Sequence, residues 1–140
     1  MSRQFEIEWP DFGITVPVDL FDGENPELCE AFWQCLPFQT ILAGSMSAGE
    51  MLKIPVLCPL PMTMSAKLGF FPEEPVGTII NIGMGCLLLK YGTVAEPFRA
   101  PRLGRVPEEA LDSLREVAMK LRDAYFFTKE INIANLRRKE

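Results

Sequence analysis

Not one histidine occurs among the 140 residues. Imidazole is thereby excluded as a catalytic base, and with it go the Ser-His and Cys-His nucleophile pairs and the His-containing metal sites. Cysteine is sparse, and Cys29, Cys35, Cys58 and Cys86 form no C-x-x-C pair, so the common zinc and redox motifs are missing. The four read as reduced, mostly buried fillers. Cys86, after Gly85, has no base partner in sequence. No apolar run approaches the ~20 residues of a membrane span. Met1-Ser2-Arg3-Gln4-Phe5-Glu6 holds no apolar signal core, which predicts a cytoplasmic protein without membrane contact. Positive charge is short as well: 14 Lys and Arg against 19 Asp and Glu give a formal charge of -5, the wrong balance for a nucleic-acid binder. Arg137-Arg138-Lys139 reads as a solvated end. Gly83-Met84-Gly85 lacks the third glycine of a dinucleotide fingerprint and reads as a tight strand turn. Neither a cofactor nor a metal is implied, and acid-base chemistry is left to carboxylates, Lys, Tyr or Cys.

What the chain does hold is an ordinary globular mixture, 48% hydrophobic and 24% charged, long enough to bury a core in one domain. Phe5, Ile7 and Trp9, then Ile14, Val16, Val18 and Leu20, alternate with polar residues around the turn formers of Pro10-Asp11-Phe12-Gly13, predicting two strands. Pro17 withholds a ladder donor, so its strand needs an edge or a bulge there. Asn25-Pro26-Glu27 predicts a helix to about Leu36, capped by Asn25, with Leu28, Phe32 and Leu36 on its inner face. Gln39 to Leu42, Met51 to Leu57, Ala66 to Phe71, Gly77 to Ile82 and Cys86 to Tyr91 are short apolar runs cut by Gly and Pro, predicting a small barrel or sandwich. From Pro107 the period changes, and Leu111, Leu114, Val117, Ala118, Leu121 and Tyr125 form a helical stripe. Tyr125-Phe126-Phe127 and Glu130-Ile131-Asn132-Ile133 are too apolar for a free tail, so they should dock on the barrel or on a second subunit. Just past the last predicted strand, Tyr91, Glu96 and Arg99 fall in one connecting loop, the usual place for binding and catalysis on a rigid scaffold.

The order strand, strand, helix, β-rich half resembles the cyclophilin-like barrels of small bacterial proteins. The residues that carry the likeness are Leu36-Pro37, Gly49-Glu50 ahead of Ile54-Pro55-Val56, Pro75-Val76-Gly77-Thr78, and Tyr91-Gly92 ahead of Glu96-Pro97. Within that group the chain is most similar to the cucumopine synthase family, whose barrel is followed by a helical extension. The resemblance implies a mainly β fold with α: a barrel domain over 1–104, one helix after strand 2, and a C-terminal helical extension over 105–140. It also implies a cofactor-independent Pictet-Spengler condensation of L-histidine with 2-oxoglutarate; the homo-oligomer expected through the C-terminal segment rests instead on that segment's apolar residues. Prolyl isomerase activity is not expected, because that site needs a histidine.

The steps of such a condensation can be matched to residue types. Losing water from the carbinolamine needs a proton donor, and restoring the aromatic ring needs a base. Glu50, at a strand entrance, is the first candidate base and Glu96 the second, with a salt bridge to Arg99 as its competing role; Tyr91 can donate to the departing hydroxyl. Arg99 and Arg102 are candidates for gripping substrate carboxylates with a two-pronged guanidinium. Ser45 and Ser47, in a small-residue loop beside Glu50, are candidates to bind substrate. Lys90 serves as a Schiff-base lysine only if desolvated. Two other readings stay open: another small-acid or amide enzyme on the same barrel, and a non-catalytic ligand-binding or oligomerising domain.

Overall fold

A computed structural model of the chain describes residues 2–44, 48–62 and 67–140. The alternating run at the start forms β1 (Gln4–Trp9) and β2 (Ile14–Leu20), with Phe5, Ile7, Trp9, Val16 and Val18 fully buried. Between them Gly13 takes the left-handed conformation, φ +63°, and closes the turn by donating its N–H to the Pro10 carbonyl. Then follow α1 (Pro26–Cys35), β3 (Phe38–Ile41), β4 (Ala43–Gly44), β5 (Gly49–Pro55) and β6 (Leu68–Phe70). The chain continues with β7 (Thr78–Gly83), β8 (Cys86–Val94) and β9 (Arg99–Arg105). After a 3-10 turn, Glu108–Ala110, α2 (Leu111–Asp123) runs into a π-helical turn, Ala124–Thr128, and β10 (Ile133–Lys139) ends the chain.

All the strand pairs are antiparallel, in the order β3-β10-β1-β2-β9-β7-β8-β5-β4, with β6 paired separately to β9. The two ends of that order, β3 and β4, are one stretch of chain broken only at Leu42, so the sheet returns on itself and makes a barrel. This is the mainly β, barrel-plus-helices fold expected. Pro17 lies where β2 has only β1 beside it, since β2 meets β9 through Asp19 and Leu20 alone.

Inward residues of the barrel share one apolar cluster with the inner faces of both helices, including Phe32, Leu114, Val117 and Leu121. The α2 helix touches β2, β4 and β8, which are not neighbours in the sheet, so it crosses an opening of the barrel instead of lying along one wall. Alternate residues of the same strands, Met51, Ile80 and Leu88, turn the other way into a smaller cluster with Phe71 and Val94.

Four expectations change. First, Tyr91 and Arg99 do not fall in a connecting loop: Tyr91 lies within β8, and Arg99 to Arg105 is a strand bonded to β2, β6 and β7, whose period Pro101 and Gly104 disguise. Second, the segment after α2 supplies β10, paired to β1 and β3, so residues 105–140 are helix followed by a barrel strand; Arg137, expected to be solvated, bonds Glu6 and Glu8. Third, Asn25 does not cap α1 with its side chain. Its amide donates to the Lys67 and Arg102 carbonyls and accepts from the Lys67 N–H, tying the approach to β6 onto β9. Fourth, Cys35 and Cys58 are joined as a disulfide, with Cα atoms 6.3 Å apart, because the end of α1 packs beside the chain leaving β5. Cys29 and Cys86 remain free, and burial pushes the Cys29 thiol up to about 12. Among the described residues no helix is long and apolar enough to cross a membrane.

Candidate active site beside the second helix

The site begins at an irregularity in the β5–β8 ladder. Gly49 pairs with Val94 but Met51 with Lys90, so the register slips across Glu50. Gly49 itself has φ +122°, and a Cβ there would lie 2.6 Å from the Thr93 carbonyl oxygen, so only glycine lets the two backbones come this close. The slip lays the Glu50 side chain across Gly92. A Cβ on residue 92 would sit 2.1 Å from Glu50 Oε1, and its absence is the space the carboxylate occupies.

Two donors hold that carboxylate. The Thr93 backbone N–H donates to Oε1 at 3.1 Å, and Arg115 Nη2, from α2, donates to Oε2 at 3.1 Å. Arg115 Nη1 also donates to the Tyr91 carbonyl at 3.4 Å. The Glu50 side chain keeps 31% of its accessible surface and Arg115 keeps 51%, so both face a cleft of about 560 Å³. Pro72, Val76, Tyr91, Leu111 and Asp112 also line it.

The electrostatics follow from these neighbours. The Thr93 N–H, then the Arg115 guanidinium, hold Glu50 below the usual carboxylate range against the opposing effect of burial. Tyr91, 4% exposed, is pushed up by burial and by the Glu50 charge, with Arg122 and Arg115 opposing, so it stays a phenol at neutral pH. Lys90, 5% exposed, donates from Nζ to the carbonyls of Phe71, Pro72 and Glu74 at 3.1, 3.0 and 2.8 Å. Burial lowers its pKa, yet all three of its protons are engaged, so its work is to hold the 71–74 turn and not to attack a carbonyl.

Of the residues singled out in the sequence, Glu50, Lys90 and Tyr91 line this cleft. Glu96 lines a separate depression of about 250 Å³ with Met51, Lys53, Leu88 and Phe98, sharing no residue with the first. No ion pair joins it to Arg99 among the described residues. Arg99 is exposed on β9 and stacks over Phe70 at 4.5 Å. Arg102 is bonded to Glu24 and to Glu74, the latter at 2.9 Å, and lies over Phe21. Ser45 and Ser47 lie outside the described residues. Reading from sequence did not single out Arg115 and Asp112, which line the cleft, or Arg122, whose charge acts on Glu50 and Tyr91. The available signal was the border of the α2 stripe, where Arg115 and Arg122 stand two turns apart on one face beside Leu114 and Leu121. Among the described residues no group of three or more Cys, Asp or Glu gathers to hold a metal ion.

No family model matches the chain, and no curated protein does. Among solved structures it is similar to McbB, determined in complex with tryptophan, at 33% identity and a TM-score of 0.90 over 96% of this chain and 44% of McbB. The chain therefore spans less than half the length of McbB. It is also similar to the hypothetical protein AF2241 from Archaeoglobus fulgidus, at 13% identity and a TM-score of 0.66 over 99% and 95% of the two chains, a likeness of fold alone.

Proposed function

We propose that the chain catalyses a Pictet-Spengler condensation between an amino acid bearing a heteroaromatic ring and an α-keto acid, in the cleft of Glu50. The observation that carries this reading is the likeness, at 33% identity and a TM-score of 0.90, to a protein solved with tryptophan. Tryptophan and L-histidine, the amine expected from the cucumopine synthase resemblance, share one chemical pattern. Each holds a nucleophilic ring carbon at the distance from its amine that closes a six-membered ring through one added carbonyl carbon.

In the proposed sequence the amine attacks the keto carbon of 2-oxoglutarate to give a carbinolamine, which loses water to give an iminium. The ring carbon then attacks the iminium carbon, and loss of one proton from that ring carbon restores aromaticity. One water leaves and no electrons are transferred overall, so the reaction needs no nicotinamide. Tyr91, kept as a phenol, donates to the departing hydroxyl, and Glu50 removes the ring proton. That proton is strongly acidic once the ring has attacked, so a carboxylate held below its ordinary pKa is base enough. The apolar walls Pro72, Val76 and Leu111 suit a flat heteroaromatic ring.

The test is incubation of purified protein with 2-oxoglutarate and either L-tryptophan or L-histidine, followed by chromatography that separates product stereoisomers. A single stereoisomer formed faster than in buffer supports the reading. A rate and isomer ratio equal to those of buffer, with both amines, removes it.

A further inference from the structure

Glu50 enters its cleft already occupied. Its two oxygens are taken by the Thr93 N–H and by Arg115, so a substrate proton approaching Oε2 finds a guanidinium in the way. The two grips differ in kind. The Thr93 N–H belongs to a barrel strand and is fixed with it. Arg115 reaches in from the helix on a long, half-exposed side chain, and its bonds, 3.1 Å to Glu50 and 3.4 Å to the Tyr91 carbonyl, are longer than well-formed guanidinium–carboxylate contacts. Solvent-exposed pairs of this sort contribute little to stability, so a competing carboxylate can take the guanidinium at small cost.

We infer that Arg115 is a carboxylate receptor: the keto acid's carboxylate replaces Glu50 on its guanidinium, and Glu50, released on its Oε2 side but still held by Thr93, becomes the free base. This rests on the reading of Glu50 as the base and adds the device that arms it. The exchange makes chemical sense for the whole sequence, because a base armed by the keto acid is not blocked by a permanent ion pair. The other charged or titratable groups around Glu50 come from β8 and α2. From β8, Tyr91 stays neutral and the Lys90 ammonium is consumed by three carbonyls. From α2, Asp112 lines the cleft beside Arg115, and Arg122, whose charge acts on both Glu50 and Tyr91, has no ion pair among the described residues. Arg122 therefore remains as a second positive charge, about 10 Å along the helix axis from Arg115, for the far carboxylate of a dicarboxylic keto acid.

The experiment is a ¹³C NMR titration of the Glu50 carboxyl, with and without saturating 2-oxoglutarate, in the native chain and in Arg115→Gln and Arg115→Lys. The native titration midpoint should rise on adding 2-oxoglutarate. In Arg115→Gln it should stand high already and move no further, and the KM for the keto acid should rise about tenfold or more while kcat changes less. Arg115→Lys, which keeps the charge but not the fork, should fall between the two. A native midpoint that stays put at any keto-acid concentration, or an Arg115→Gln variant with native keto-acid KM, overturns the exchange. Because the titration reads binding and not turnover, a native midpoint that rises in a protein forming no product upholds the exchange and removes only the proposed reaction.

Discussion

Replacing Gly92 with alanine tests the catalytic reading at one atom. The added Cβ would stand 2.1 Å from Glu50 Oε1, 2.6 Å from its Cδ and 2.9 Å from its Cβ, where ordinary contacts need more than 3.4 Å. The carboxylate must therefore retreat by at least about 1 Å, and a displacement of that size costs on the order of 10²-fold in rate. It also breaks the 3.1 Å bond from the Thr93 N–H, whose loss with that of Arg115 is worth about 1–3 kcal/mol at this half-exposed position, a few degrees of Tm for 140 residues. Gly92 is not among the residues with left-handed backbone, so the effect is one of room and not of backbone strain. Turnover by Gly92→Ala should fall about a hundredfold while circular dichroism shows an intact barrel. Gly23→Ala, with nothing within 4 Å of the new methyl, should match the native chain in both measurements. If Gly92→Ala keeps turnover within about threefold while its Glu50 titration shows that the Thr93 bond is gone, Glu50 is not the base.

The disulfide closes a loop of 23 residues, worth about 3 kcal/mol by chain entropy, so Cys35→Ser should lower Tm by about 10 °C; four thiols reacting with Ellman's reagent in the denatured, unreduced chain would show that the bond is absent. Lys90→Met leaves one buried and two part-buried carbonyls without their donor and should cost about 2–3 kcal/mol in urea unfolding, whereas an unchanged midpoint would mean that water takes the place of Nζ. Because Glu50 is held below its unfolded value, its contribution to stability is full above the ordinary glutamate pKa and is lost as pH falls through the lowered folded value. In Glu50→Gln the acid limb of the stability-pH curve should accordingly be shallower over that interval, and an identical limb would count against the Thr93 and Arg115 bonds.

Elements whose stabilising contacts lie close in sequence are legible in the sequence itself. β1, β2 and α2 carry their own period and bury most of the residues their pattern named, although Ile14 and Leu111 are only part-buried and Tyr125, past the end of α2, is exposed. β10 does not. Only Ala134 and Leu136 of its seven residues are buried, and what identifies it as a strand is a set of partners more than 90 residues away: Glu6 and Glu8 for Arg137, Glu8 and Gln39 for Asn135. Nothing within Ile133–Lys139 encodes those neighbours, so a basic run that belongs to the barrel reads as a solvated end. β9 hides for the related reason that Pro101 and Gly104 break the alternation within a strand bonded to three others.

The same distinction between local and distant partners sorts the candidate site. Glu50 was visible because a strand entrance after glycine is a local feature, and Tyr91 because it ends an apolar run. Neither Arg99 nor Arg102 lines the Glu50 cleft, and for Arg102 the reason is physical. A guanidinium on a strand that lies under other elements is costly to bury alone, so Arg102 is consumed by Glu24 and Glu74 and stacked on Phe21 where it stands. A cation whose ion pair a ligand can displace at small cost is one on an exposed helix face, where the pair stands in solvent and where sequence gives it the look of ordinary solvated charge. Arg115 is that residue, and what distinguishes it from Arg122 on the same face is the register slip at Glu50, 65 residues earlier in the chain, which turns a carboxylate toward it. The site is thus written in two places, a glycine-framed slip in the barrel wall and a helix laid across its opening, and it exists only once the fold has set one against the other.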